Sequence, residues 1–241
     1  MKSISKREFT HGLKKGIPIA MGYFPVSFTF GIMATSSGIP AWLAVLISVT
    51  NVTSAGQFAG VSLMAASASY YEIGLTTLLI NLRYMLMSMS LSQRLQKPMS
   101  VVKRMILGFG ITDEIFAIAA TKPDKITAEF MYGLISGPFL GWSLGTAAGA
   151  YASGILPKTL SDAMGIALYS MFIAIIVPPA RKSFKILIVI IIAVICTCLM
   201  RYIHIFSFIS EGFRIIISTL IAAGAGAVLF PVTSDGLKEE I

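Results

Sequence analysis

Asp113 and Glu114 stand side by side in "GFGITDEIFAIAA" (108–120), an otherwise apolar run. Asn81 and Arg83 interrupt a second apolar run, "INLRYMLMS" (80–88). Ionisable groups at membrane depth are rare and mark partners, relays or pathways. An acid buried without a partner tends to hold a proton. Arg83 within reach would keep one acid ionised, and two adjacent acids in a low dielectric then share a proton between them. That chemistry suits a proton-coupled carrier. The same residues also fit a plainer role, a static Arg–Asp brace between helices. Neighbours on a helix point about 100° apart, so only one of the two acids is expected to face a shared path. Tyr84 and Thr112 flank these charges and are placed on the same substrate or proton path.

A second set of polar groups is neutral. Asn51, Thr53, Ser54 and Gln57 fall in "SVTNVTSAGQF" (48–58). At a helix break, free backbone groups and a half-helix dipole bind a carboxylate or an ion; at a water-exposed loop the same residues do nothing further. Asp162 follows the "ILP" turn, where it either caps a helix or meets substrate. Arg201 and His204 end an apolar segment and read as interfacial, their tips reaching headgroups. No enzyme and no cofactor is expected. "GFGITD" lacks the Gly-x-Gly-Asp spacing of an intramembrane aspartyl protease, and neither an HExxH helix nor a GxGxxG or Walker loop is present. Cys196 and Cys198 are two apart in an apolar run, which favours neither a disulfide nor a metal site.

The elements that position these groups follow from composition. The 241 residues are 56% hydrophobic and 12% charged, with a mean hydropathy of +0.82. A soluble domain averages roughly 25% charged residues, so the class is an integral membrane protein. A spanning helix needs about 20 apolar residues. Candidate segments are 16–37, 42–68, 73–91, 105–121, 130–151, 160–177, 184–205 and 214–230, with prolines at the gaps. The expected fold is all-α: one polytopic membrane helix bundle of seven or eight hydrophobic segments over residues 1–241. Its basic, then apolar, amino terminus reads as retained rather than as a cleaved signal, because Pro18, Gly22 and Pro25 interrupt the run.

The net charge of +8 sits mostly in short gaps around Lys2–Lys15, Arg94–Arg104 and Arg181–Lys185. Lys and Arg collect on the cytoplasmic side, so this charge sets topology and does not indicate nucleic acid. Eight plain spans from a cytoplasmic amino terminus would leave the first internal basic gap outside. A broken or re-entrant pair, 42–49 and 56–66, repairs the count. "SSGIP" (36–40) recurs as "SGILP" (153–157), which points to two parallel repeats, halves 14–104 and 130–232, joined by 105–121. Gly137, Gly141, Gly145, Gly149 and Ser153 recur every four residues and make a flat face for close helix packing, or else a groove along a substrate path.

Taken in order, "GIPIAMGYFPVSFTFG" (16–31), "AGQF" (55–58), "NLRY" (81–84), "TDEIFA" (112–117) and "SDAMGIALYSMF" (161–172) resemble AzlC, the large subunit of bacterial branched-chain amino acid exporters. The resemblance runs from about residue 14 to residue 179. It implies secondary export of Leu, Ile, Val or Met across the bacterial cytoplasmic membrane, with protons and a small hydrophobic AzlD-type subunit as partners. On that footing, Asp113 or Glu114 takes the substrate ammonium or a proton, and Arg83, Asn81 and Gln57 are candidates for carboxylate recognition or gating. A channel or uptake carrier for another small polar solute, and a non-transporting membrane scaffold, stay open as alternatives.

Overall fold

The computed structural model describes residues 2–96, 98–155, 159, 173, 176–206 and 208–231. Helices run in the order α1 (Lys2–Ser36), α2 (Ala41–Thr50), α3 (Ala55–Ala65), α4 (Tyr70–Arg94), α5 (Val101–Phe109), α6 (Asp113–Ala120), α7 (Ala128–Ala152), α8 (Phe184–Tyr202), a 3-10 turn (His204–Phe206) and α9 (Glu211–Leu229). No strand occurs among the described residues. A single bridge, Leu95 to Ile126, ties the end of α4 to the start of α7. Three helices among the described residues are long and apolar enough to cross a membrane: Ser5–Ser36, Phe184–Tyr202 and Gly212–Leu229. The protein is therefore an all-α membrane bundle.

The chain forms two compact units. The first comprises residues 1–65 and 80–168, the second residues 66–79 and 169–241. In the first unit α1 and α7 lie side by side and run parallel. Gly12 faces Phe130, Gly16 faces Leu134, Ala20 faces Gly141, Phe24 faces Gly145 and Phe28 faces Gly149. The four-residue stripe of α7 is thus a packing seam. A Cβ at Gly149 would stand 2.0 Å from the Phe28 carbonyl oxygen, and one at Gly133 would stand 2.1 Å from that of Phe9. Only hydrogen fits there, and the backbones meet directly. A core of Leu91, Leu107, Ile115, Phe130, Met131 and Leu134 closes beside this seam.

Two short breaks shape the first unit. α2 stops at Thr50 and α3 starts at Ala55. Between them the Thr53 hydroxyl donates to Asn51 Oδ1 at 2.8 Å and the Thr53 N–H to the Asn51 carbonyl at 3.0 Å. Such local bonds compete with the helix ladder. Ser54 then takes φ 47°, the left-handed region that a non-glycine residue enters at a cost of about 1–3 kcal/mol.

The second break corrects the expectation of one segment over 105–121. α5 ends at Phe109 and α6 begins at Asp113. Gly110 closes α5 by donating its N–H to the Leu107 carbonyl, while Thr112 opens α6 as its N-cap, accepting from the Ile115 N–H at 3.5 Å. Glycine at the stop and threonine at the start are strong terminus signals that outweigh apolar continuity. Asp113 and Glu114 therefore stand in the first turn of a short helix, where the dipole favours negative charge, and not in mid-span.

In the second unit α8 and α9 pack as a hairpin, with Gly226 against Val189 and the Ser218 hydroxyl 3.6 Å from Met200 Sδ. Glu72, on the first turn of α4, is buried there. Its carboxylate accepts from the Ser210 hydroxyl and, at 2.8 Å, from the Gly212 N–H, capping α9.

Candidate functional site

α6 presents its two acids to different partners. Arg83 Nη1 lies 2.9 Å from Asp113 Oδ2, with the side chains 35% and 29% exposed. Glu114 takes its bond from α1: the Tyr23 hydroxyl bonds Glu114 Oε2 and also sits 2.7 Å from Thr112 Oγ1. The two carboxylates are neighbours in sequence, yet each meets a separate group. Asp113 thus faces α4 and Glu114 faces α1.

Arg83 also reaches the other break. Its Nη2 donates to the Tyr84 hydroxyl at 3.1 Å, and that hydroxyl donates to the Thr53 carbonyl at 3.1 Å. The guanidinium carbon stands 4.9 Å from the Tyr84 ring centroid, adding a cation–π contact. Asn81, two residues before Arg83, lies against Gly56 at the start of α3, and its Oδ1 is buried without a hydrogen-bond partner. Arg83 Nε is likewise buried and unpartnered. Asn81, Arg83, Tyr84, Asn51, Thr112, Asp113 and Glu114 thus gather where the two breaks approach α4. A buried orphan amide oxygen and an orphan guanidine N–H each leave a costly group unsatisfied.

Gln57 has a different position. It is 1% exposed, accepts from Trp142 Nε1 at 2.8 Å and donates to the Ser48 hydroxyl at 2.8 Å. Ser48 and Thr146 hydroxyls then meet at 2.7 Å. This closed chain joins α2, α3 and α7 and takes up the amide that the sequence offered for carboxylate recognition. The Trp142 ring meets the Tyr23 ring edge-on, with centroids 5.3 Å apart, so the chain braces the tyrosine that holds Glu114.

Tyr23 and Trp142 escaped the sequence reading. Their signal was present: a buried Tyr or Trp needs a partner for its polar tip, and both lie in apolar helices that also carry or face an unexplained Gln or Glu. Farther along, α6 is held at its other end. Arg94 donates to the carbonyls of Ala120 and Lys122, and Lys122 Nζ lies 2.6 Å from Glu8 Oε2 on α1. Asp162, the "SDAMGIALYSMF" stretch and the His204 side chain lie outside the described residues; Arg201 stands in the last turn of α8.

The comparisons with known proteins agree with the membrane class. The sequence model of a family described as "AzlC protein" matches residues 18–156. The chain is 29% identical over 182 residues to "Inner membrane protein YgaZ" of Escherichia coli K12, covering 73% of this chain and 74% of that protein. It is 32% identical over 181 residues to an uncharacterized membrane protein of Archaeoglobus fulgidus, covering 74% and 79%. A Helicobacter pylori J99 membrane protein is 25% identical over 147 residues, covering 60% and 64%. No solved structure matches the chain.

Proposed function

The chain belongs to the AzlC family, and from that premise we propose that it is a secondary transporter that exports branched-chain amino acids, coupled to protons. In this reading it is the large subunit of a two-component exporter in the bacterial cytoplasmic membrane, with a small hydrophobic AzlD-type partner and a cytoplasmic amino terminus. The name of the Escherichia coli relative supports the inner-membrane location. The observation that carries the reading is the meeting of Arg83–Asp113 and Tyr23–Glu114 at two helix breaks inside an apolar unit. A zwitterion needs an acid for its ammonium and donors for its carboxylate, and its aliphatic side chain needs apolar walls. Broken helices near the centre of a bundle supply such sites in secondary carriers.

Two parallel halves remain part of the proposal. α1 opens the first half and α7 the second, and the two run parallel, which agrees with a same-direction repeat. Seven or eight membrane segments, with α2–α3 as a broken pair, place the basic gap 94–104 on the cytoplasmic side.

Counterflow of labelled leucine in proteoliposomes tests the proposal. The full chain, reconstituted with its small subunit, is expected to exchange leucine saturably, with isoleucine and valine competing. No exchange, with or without the small subunit, would leave the scaffold reading standing and remove the transporter.

A further inference from the structure

An apolar cleft of about 330 Å³ opens in the first unit between α4 and α5, and the acids of α6 do not line it. Its floor is formed by Leu91, Leu95, Leu107 and Ile111, all buried, and its rim by Met85, Met89 and Met105, all more than half exposed. One cation, Arg104, stands at this rim with the hydroxyl-bearing Ser88 and Ser92, and Lys103 precedes it in the chain.

α5 itself is strongly two-sided. Val101, Val102, Met105, Ile106 and Phe109 recur on one stripe of the helix and are 50–71% exposed, while Leu107 is buried. In a membrane protein such a short helix, apolar on one stripe and basic beside it, lies in the interface with its apolar face among acyl chains. That places the open mouth of the cleft among lipid tails and Arg104 at the level of headgroups. An aliphatic chain matches the Leu and Met walls. A phosphate matches Arg104, whose fork of donors binds phosphate oxygens. Arg104 at the rim, with the charge of Lys103 on the next face of α5, favours a headgroup with net negative charge over a zwitterionic one. A free soluble anion would gain nothing from the apolar floor.

We propose that the α4–α5 cleft is a binding site for an anionic glycerophospholipid, with part of one acyl chain between Met85, Met89 and Leu95 and the phosphate on Arg104. The site is separate from the acids of α6, so it stands or falls independently of the transport reading.

Native mass spectrometry of the full chain, released from nanodiscs of equal phosphatidylglycerol and phosphatidylcholine, tests it. The parent should retain phosphatidylglycerol adducts in preference to phosphatidylcholine by roughly fivefold or more, the value of about 1 kcal/mol per basic residue near the surface. Lys103→Ala with Arg104→Ala should abolish the preference, and Arg104→Lys alone should keep most of it. Met89→Trp, which fills the cleft from its exposed rim, should lower retention of both lipids. Elution of each variant at the parent volume confirms that these surface changes leave the fold intact. A double alanine variant with the parent's preference would overturn the proposal. So would displacement of the adduct by inorganic phosphate, which marks a soluble-anion site, or a lipid-free dimer, which marks the cleft as a contact between copies.

Discussion

α1 meets two neighbours in opposite ways. Along α7 the glycines of each helix meet the backbone of larger residues on the other, Gly12 against Phe130, Gly16 against Leu134 and Gly31 against Thr146 from α1, and Gly149 against Phe28 from α7, so backbone touches backbone over some five turns. Toward α6 it presents one hydroxyl, that of Tyr23, to one carboxylate, that of Glu114. The first contact is broad, apolar and insensitive to protonation. The second is one hydroxyl that meets a carboxylate, Glu114, and the capping hydroxyl of Thr112. Lipid supplies little hydrophobic drive between helices, so close van der Waals contact must hold the frame. A fixed frame then leaves a short helix such as α6, held at its ends by Arg83, Tyr23 and Arg94, as the part whose bonds can be exchanged.

The contrast is broken most severely on the seam. Gly149→Val would drive a side chain into the Phe28 carbonyl, since even a Cβ stands 2.0 Å from it. The expected cost is about 3 kcal/mol or more, seen as loss of monodisperse protein in detergent and a lowered denaturation midpoint. Gly22→Ala is the paired control on the same α1, because a Cβ there meets nothing within 4 Å. It should leave the midpoint unchanged or raise it by up to about 1 kcal/mol of helix propensity. Equal effects at the two positions would remove the seam as the frame.

The smaller expected effect on stability lies at the polar contact. Tyr23→Phe deletes one hydroxyl and leaves the ring against Trp142. Its cost in stability should be about 1–3 kcal/mol, the range for leaving a buried hydrogen-bonding partner unsatisfied. Leucine counterflow by the same variant should fall several-fold at an unchanged elution profile. Counterflow at the parent rate would assign Tyr23 to packing alone.

Much of this contrast was legible in the sequence. The glycine period on α7 announced a flat helix face, and the polar run 48–58 announced a break. Arg83 was legible as a partner for one acid should the two come within reach, and the fold brings it to Asp113. The seam's partner was not legible, because the glycines of α1 follow no clean four-residue period. The break before Asp113 was hidden by an apolar background, although Gly110 and Thr112 carried its terminus chemistry. The partners of Gln57 were not legible for a different reason. A polar residue in an apolar helix looks the same in sequence whether it faces a path or a buried Trp142.

The central claim is that the acids of α6 carry the coupled proton or the substrate ammonium. It is tested most directly by the pH profile of leucine counterflow in the parent, in Asp113→Asn and in Glu114→Gln, at matched reconstitution. The parent rate should vary with pH across the neutral range. At least one variant should lose that variation, and Asp113→Asn, which leaves Arg83 without its counter-ion, should lose at least tenfold in rate, the equivalent of about 1.4 kcal/mol. Rates and pH profiles equal to the parent's in both variants would contradict the claim and reduce the cluster to a brace.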